Sequence, residues 1–258
     1  MYGDMTARPR MGAMEAFTRG VPAELTTFVK KTYSMLAFSL VLGAAACFLM
    51  LRLMPTQEVL VRHGGELAKV LVPAFPRWGL WLLWGGTLVF GILGSVAKSG
   101  ARQGEASILG LVALVGLVVC SGAMLGPTIG TLVGLGMADV IGAAAVVTAV
   151  TFAALTFVVL LTGKNFSFLG KFIFVAGIAF FVAWLVGIFF VHSAGFQWWL
   201  AAAGAVLFCA YILFDTSNVV HAYGPANMVV PAVIALYLDI FNLFVMLLYL
   251  FAGNRRNQ

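Results

Sequence analysis

The sequence predicts an all-α integral membrane protein, built as a bundle of seven transmembrane helices. Hydrophobic residues make up 62% of the 258 residues and charged residues only 9%, whereas a soluble domain carries about 25% charged residues. So few charges could not cover a soluble surface, which excludes an ordinary cytosolic enzyme, a disordered chain and a nucleic-acid-binding domain. The apolar runs are continuous and do not alternate, which excludes a transmembrane β-barrel.

The net charge of +6 is explained by residues that flank the apolar runs. Basic residues in such positions anchor and orient membrane spans. The sequence therefore predicts that these basic residues interact with the lipid bilayer and that the protein does not bind nucleic acid. They precede the first run or follow the last one: Arg8, Arg10, Arg19, Lys30, Lys31, Arg255 and Arg256.

Seven apolar runs are long enough to cross the hydrocarbon core, which takes about 20 residues in a helix. Gly126-Pro127 is expected to end the third run, because proline interrupts helical hydrogen bonding. Residues 52–77 are expected to form a loop. An alternative is six spans with a re-entrant last segment, since Asp239 weakens the seventh run. The predicted spans are 32–51, 78–97, 107–126, 140–163, 172–191, 196–220 and 229–251.

The predicted organisation is an N-terminal cytoplasmic tail (1–31), a transmembrane domain (32–251) and a short C-terminal tail (252–258). The first run has no cleavage signature after it and is interpreted as a retained signal anchor. With the N-terminus inside, the inner segments carry nine basic residues and the outer ones six. This bias favours a cytoplasmic N-terminus.

Two aspartates lie inside predicted spans, where a charge costs about 2.5–3.5 kcal/mol on insertion scales. A short turn joins the last two spans, so the helices that carry Asp215 and Asp239 are antiparallel neighbours. At 1.5 Å rise per residue, the two carboxyl groups differ in height by roughly one turn. We therefore expect them to meet. Two close carboxyl groups share protons and titrate as a unit. The alternative is a protonated, hydrogen-bonded pair that only fixes the register of the two helices.

Three further polar residues share the faces of these aspartates. Asn218 and Asn242 each follow an aspartate by three residues, and Tyr211 precedes Asp215 by four. Residues at these spacings lie on one helix face. The five side chains form a polar patch between two apolar helices, which we expect to be proton-sensitive and to act as a pH sensor and gate.

Four segments resemble the Bax inhibitor-1 family of transmembrane BAX-inhibitor-motif proteins. The last two resemble its bacterial branch, which modulates a membrane-bound AAA protease, and this resemblance implies a bacterial inner membrane protein. The segments are Tyr211-Ile-Leu-Phe-Asp215-Thr-Ser-Asn218, Leu236-Tyr-Leu-Asp239-Ile-Phe-Asn242-Leu-Phe244, Gly122-Ala-Met-Leu-Gly126-Pro127 and Lys164-Asn-Phe-Ser-Phe-Leu-Gly170.

This resemblance implies six helices around a central seventh and a pH-sensitive calcium leak with Asp215 and Asp239 as its sensor. It also implies a basic latch on the aspartates, for which Arg102 and Lys98 are the candidates. No resident cofactor is expected, and calcium is the expected transported ion. A membrane-bound AAA protease complex is an expected partner, and a monomer is the expected oligomeric state.

Two other functional classes remain open at the level of sequence. A membrane regulator of a protease or of a stress response would need no transport. An intramembrane aspartyl protease would also place one aspartate on each of two helices, but it is expected to carry Gly-x-Gly-Asp where this chain has Leu236-Tyr237-Leu238-Asp239. We therefore expect no enzymatic activity.

Other residue types give weaker signals. His63, His192 and His221 are scattered at span ends, which argues against a zinc site and predicts solvated interfacial residues. The three cysteines lie inside apolar runs and are expected to be free thiols. The glycines at 126, 130 and 134 would suit a helix dimerisation face, but a flexible turn after Pro127 is the favoured interpretation.

Overall fold

A computed structural model describes residues 23–63, 66–96, 108–191, 193–221 and 229–256. This part of the chain forms seven helices and one short antiparallel hairpin. In chain order the elements are α1 (Ala23–Leu53), β1 (Thr56–His63), β2 (Glu66–Pro73), α2 (Arg77–Val96), α3 (Ile108–Gly134), α4 (Ala138–Thr162), α5 (Leu169–Phe189), α6 (Ala194–His221) and α7 (Val229–Arg256).

The predicted all-α membrane bundle is confirmed. Six helices are long and apolar enough to cross a membrane, and α2 contributes the shorter apolar helix Trp78–Gly94. α1 begins nine residues before the predicted first span, inside the predicted tail. α7 is one continuous helix of 28 residues, which differs from the re-entrant alternative.

The expectation that Gly126-Pro127 ends the third helix is wrong. α3 continues through Pro127 to Gly134, and the Thr131 hydroxyl donates a 2.8 Å hydrogen bond to the carbonyl oxygen of Pro127. Proline removes a single backbone donor, and packing of the following turns compensates for that loss. A Cβ atom on Gly126 would come within 2.9 Å of Met50 on α1.

The glycine stripe of α3 therefore packs within the molecule and is not a flexible turn. Gly130 lies against Pro73, and Gly134 lies against the carbonyl oxygen of Leu71. Missing side chains at these positions let β2 approach the end of α3 closely. This observation supports a role in the fold, not in dimerisation.

The region 52–77, expected to be a loop, contains the hairpin of β1 and β2. The two strands pair in antiparallel register from Thr56 with Pro73 to His63 with Glu66. Both strands are rich in β-branched and leucine residues, and the sequence between them is Gly64-Gly65, a pair typical of two-residue hairpin connections. An exposed ion pair joins Lys69 and Glu58 across the strands at 3.0 Å.

α7 is the most deeply buried helix of the described bundle, as the resemblance implied. In the most apolar window of α7, 56% of the residues are buried, against 11% for α5. α7 packs against α1, α2, α3, α4 and α6, while α5 packs mainly against α6. The central position of α7 sets its two faces against different neighbours.

The first of these faces meets the crossing of α1 and α3. Gly122 of α3 lies directly against the backbone carbonyl of Gly43 on α1, so that any Cβ atom on Gly122 would collide with it. The hydroxyl groups of Tyr237 on α7 and Ser121 on α3 form a buried hydrogen bond of 2.8 Å beside this crossing. Small residues thus bring three helices within hydrogen-bonding reach.

Candidate functional site

The second face of α7 meets α6 at the two predicted aspartates. α6 and α7 pack along one another, and the side chain of Asp239 lies close enough to that of Asp215 to interact with it. Asp215 lies six residues before the end of α6, and Asp239 lies ten residues after the start of α7. The structure thus brings together the two carboxyl groups that the spacing predicts to meet.

The two carboxyl groups have unequal environments. Asp239 is only 5% exposed, and its Oδ2 atom has no hydrogen-bond partner among the described residues. Asp215 is half-buried and accepts a 3.3 Å hydrogen bond from the Nδ2 amide of Asn218. Asp239 is therefore the member of the pair with the less complete set of partners.

A hydrogen bond between two carboxyl groups requires a proton on one of them, because an ionised carboxylate can only accept. Like charges held close together in a low-dielectric site repel strongly. Close approach of two carboxyl groups is therefore favoured when one of them holds a proton.

The other predicted sensor residues lie nearby but make different contacts. The Tyr211 hydroxyl donates a 3.0 Å hydrogen bond to the carbonyl oxygen of Ile173 on α5, so that it ties α6 to α5 and not to α7. Asn242 is half-buried, one turn after Asp239. The two candidates for a basic latch, Arg102 and Lys98, lie outside the described residues.

Sequence reasoning missed a group of three buried hydroxyls that come from α1, α4 and α6. The Tyr33 hydroxyl on α1 faces the hydroxyls of Thr156 on α4 and Thr216 on α6, and Thr216 directly follows Asp215. The three oxygens are buried and make no direct hydrogen bond of standard geometry within the described part of the chain. No spacing in the sequence could indicate this group, because its members come from three helices.

A resident metal site is not indicated by the described residues. They contain no group of three or more histidine, cysteine, aspartate or glutamate side chains that could hold a metal ion. Calcium takes six to eight oxygen ligands, so two carboxyl groups could only form part of its shell. The three cysteines are free thiols and half-buried.

Comparison with known proteins identifies the family. The family model described as "Inhibitor of apoptosis-promoting Bax1" matches residues 25–257, which is nearly the whole bundle. The chain belongs to the Bax inhibitor family. The family resemblance that the four segments suggested is therefore confirmed. The match extends over the whole transmembrane domain.

Three relatives illustrate the range of this family. An uncharacterized protein of Campylobacter jejuni is 31% identical over 88% of this chain and 88% of its own length. Bax inhibitor 1 of Schizosaccharomyces pombe is 35% identical over 53% of this chain and 51% of its own length. YccA, a modulator of FtsH protease in Escherichia coli, is 35% identical over 49% of this chain and 57% of its own length.

Proposed function

We propose that this protein is a pH-sensitive calcium leak channel, gated by the pair of Asp215 and Asp239. The observation that carries the proposal is the buried contact between the two side chains, in which Asp239 is 5% exposed. When the pair holds a proton, it joins α6 to α7 and the path stays closed. Loss of the proton places two negative charges between the helices and separates them.

The energy of this switch is large enough to control a two-state equilibrium. At an effective dielectric constant of about 20, two charges about 4 Å apart repel by about 4 kcal/mol. That energy changes the ratio of two conformations roughly a thousandfold. The proposed direction of gating is therefore from closed at low pH to open at high pH.

The pair is also better suited to transient binding of a passing calcium ion than to tight binding. Carboxylate oxygens are the ligands that calcium prefers, but a tight site takes six to eight of them. Within the described residues the pair is not part of a larger acidic or histidine cluster. A site with so few charged ligands would bind the ion briefly and release it, as a leak requires.

The test is calcium flux into proteoliposomes, measured over a series of pH values. We expect Asp215→Asn and Asp239→Asn each to weaken the pH dependence of flux, because each removes one titrating group and preserves shape. Asp139→Asn is the matched control, since Asp139 lies exposed in the first turn of α4 and should leave the profile unchanged. Wild-type flux at every pH in both test variants would refute the gate.

A second candidate function is regulation of a membrane protease without transport, which the similarity to the FtsH modulator YccA favours. In that case purified protein would carry no calcium flux at any pH. It would instead co-purify with a membrane-bound AAA protease from bacterial inner membranes. The flux assay separates the two functions, since a regulator would leave the liposomes sealed.

Protease activity of the aspartate pair is the least supported function. Leu236 and Tyr237, which precede Asp239, are 0% and 2% exposed, and the Tyr237 hydroxyl is held by Ser121. A peptide substrate would have to displace these packed side chains before its backbone could reach the carboxyl groups. The proposal therefore assigns no enzymatic role to the pair.

A further inference from the structure

The three buried hydroxyls of α1, α4 and α6 meet near one end of the bundle. The Tyr33 hydroxyl lies within interaction distance of the hydroxyls of Thr156 and Thr216. Tyr33 lies ten residues after the start of α1, whereas Thr156 and Thr216 lie six and five residues before the ends of α4 and α6. Successive spans alternate in direction, so that α4 and α6 both end where α1 begins. We call these three side chains the hydroxyl cluster.

The packing of Tyr33 explains how a residue of α1 reaches α4. Its ring lies against that of Phe152, with the two centroids 6.3 Å apart. Phe152 and Thr156 are four residues apart and therefore share one face of α4. This face offers an aromatic ring to the ring of Tyr33 and a hydroxyl to its polar end, the two kinds of partner that a buried tyrosine needs.

The two threonines of the cluster do not bond to their own helices. Elsewhere, Thr131 and Thr148 each donate to the carbonyl oxygen four residues earlier, at 2.8 Å and 2.7 Å, as threonine commonly does in a helix. The Oγ1 atoms of Thr156 and Thr216 have no partner of standard geometry in the described part of the chain, and the same holds for the hydroxyl of Tyr33. The three groups face one another instead.

This arrangement has the chemistry of a binding site for a small neutral molecule. A hydroxyl that is buried without a partner costs about 1–3 kcal/mol, and Thr216 is 0% exposed. A buried water molecule typically makes about three hydrogen bonds to polar groups that would otherwise be unpaired. Hydroxyls can both donate to water and accept from it. They carry no charge that would offset the cost of a buried ion, so the cluster suits water better than a cation.

We propose that the hydroxyls of Tyr33, Thr156 and Thr216 bind one buried water molecule, which joins α6 to α1 and α4. The water accepts a hydrogen bond from at least one hydroxyl and donates to the others. Because its ligands come from three helices, the site is complete only in the helix arrangement of this structure. A displacement of α6 away from α1 or α4 would break it.

The same turn of α6 carries a ligand of the water and a carboxyl group of the aspartate pair. Thr216 directly follows Asp215, and consecutive residues of one helical turn move together. The bound water therefore holds Asp215 in the position in which it meets Asp239, and Thr216 is a positioning residue for the gate. This consequence, unlike the water site itself, rests on the proposed calcium leak.

The first test is the sign of the stability change when one hydroxyl is removed from the full-length protein. Thr216→Val replaces the hydroxyl by a methyl group at nearly constant volume. Loss of a water ligand should lower the unfolding temperature in detergent by about 3–6 °C. Removal of a buried hydroxyl that binds nothing would raise the unfolding temperature, and this result would overturn the proposal.

A double-mutant cycle then tests whether the hydroxyls act together. Tyr33→Phe should lower the unfolding temperature by about 3–6 °C in wild type, but by less than half as much in Thr216→Val, where the site is already broken. Thr148→Val is the matched control background, since Thr148 is buried on α4 and bonds to the carbonyl oxygen of Ala144. There Tyr33→Phe should keep its full effect. Equal effects of Tyr33→Phe in all three backgrounds would overturn the proposal.

A crystal structure at a resolution that shows ordered water would reveal the ligand directly. We expect density for one water about 2.5–3.0 Å from all three hydroxyl oxygens, and its loss in Thr216→Val. Hydroxyls that bond directly to one another, with no water between them, would overturn the proposal.

The positioning role is tested by calcium flux into proteoliposomes at a low pH, where the gate is closed. Thr216→Val should raise this flux about fivefold, as for the loss of one typical hydrogen bond, and Thr216→Ser should restore the wild-type flux because it keeps the hydroxyl. Unchanged flux in Thr216→Val would overturn the positioning role. If the wild-type protein carries no flux at any pH, the calcium leak is refuted, and the stability cycle and the water density still decide the water site.

Discussion

Two faces of α7, two residues apart in sequence, meet their neighbours in opposite ways. On one face the Tyr237 hydroxyl is hydrogen-bonded to Ser121 at 2.8 Å, beside the glycine crossing of α1 and α3. On the other face Asp239 contacts Asp215, and its Oδ2 has no partner among the described residues. The hydroxyl on the first face has a hydrogen-bond partner, whereas one carboxyl oxygen on the second face has none within the described part of the chain.

In the proposed gate, α7 would be held on one face and released on the other. Residues two apart point to nearly opposite sides of a helix, so α7 can stay attached to α1 and α3 while its contact with α6 changes. α6 in turn is tied to α5 through the Tyr211 hydroxyl. We therefore expect the movement to occur at the boundary between α6 and α7.

The largest effect is expected from Gly122→Ala, which would break the satisfied face. The new Cβ atom would meet the backbone carbonyl of Gly43, and backbone cannot rotate away as a flexible side chain can. We expect a loss of about 3 kcal/mol in the free energy of unfolding, at the upper end of the range for overpacked cores. Thermal unfolding in detergent would measure it.

Gly142→Ala is the matched control for this substitution. Gly142 lies in the second turn of α4, and a Cβ atom there would meet nothing within 4 Å. The same chemical change should be neutral or stabilise the protein by up to about 1 kcal/mol, because alanine favours helix. If both variants had equal stability, the crossing of α1 and α3 would not be the tight contact that the structure shows.

An intermediate effect is expected from Asp239→Asn, and only at high pH. Ionisation of the wild-type pair places like charges together in the folded state, so that folded stability is present at low pH and lost as pH rises. Asparagine removes one charge, and the unfolding temperature should then vary less between about pH 5 and pH 8. The expected difference is about 2–4 °C for each kcal/mol of repulsion.

Asp215→Asn sharpens the same comparison, since Asp215 is half-buried and bonded to Asn218. It should also reduce the pH dependence, and the double variant should add little to either single one, because the two groups titrate as a unit. Additive effects of the two substitutions on unfolding temperature would contradict a shared proton.

Much of this fold follows from the length of the apolar runs, because the backbone N–H and C=O groups of a membrane-spanning segment must form their hydrogen bonds within the helix. The same rule explains the error at Pro127. A proline that costs one hydrogen bond does not end a helix when glycines on the following turns pack against the neighbouring elements. The hairpin was missed because charged residues such as Glu58 and Lys69 suggested a loop, although Gly64-Gly65 was a usable signal.

The aspartate contact could be predicted because both residues sit at known distances from one short turn. The hydroxyls of Tyr33, Thr156 and Thr216 could not, since their meeting depends on which helices pack together. His221 is exposed at the end of α6, as the sequence predicts, but the partners of its ring could not be predicted. Its acceptors are backbone carbonyls of Gly163 and Ser217, and a backbone acceptor leaves no trace in the pattern of side chains.

The smallest effect is expected from Tyr237→Phe, which tests whether the satisfied face takes part in gating at all. The change removes one buried hydrogen bond, but Ser121 keeps its 2.7 Å bond to the carbonyl oxygen of Leu117, so no donor is left unpaired. We expect a loss of about 1 kcal/mol in unfolding free energy. The pH dependence of unfolding should match that of wild type, because the proposed proton site lies on the opposite face of α7.

Tyr249→Phe, on the exposed surface of the same helix, controls for the loss of a hydroxyl and should change neither the unfolding free energy nor its pH dependence. A changed pH dependence in Tyr237→Phe alone would mean that the two faces of α7 are coupled, and that the helix moves as a whole when the aspartates lose their proton.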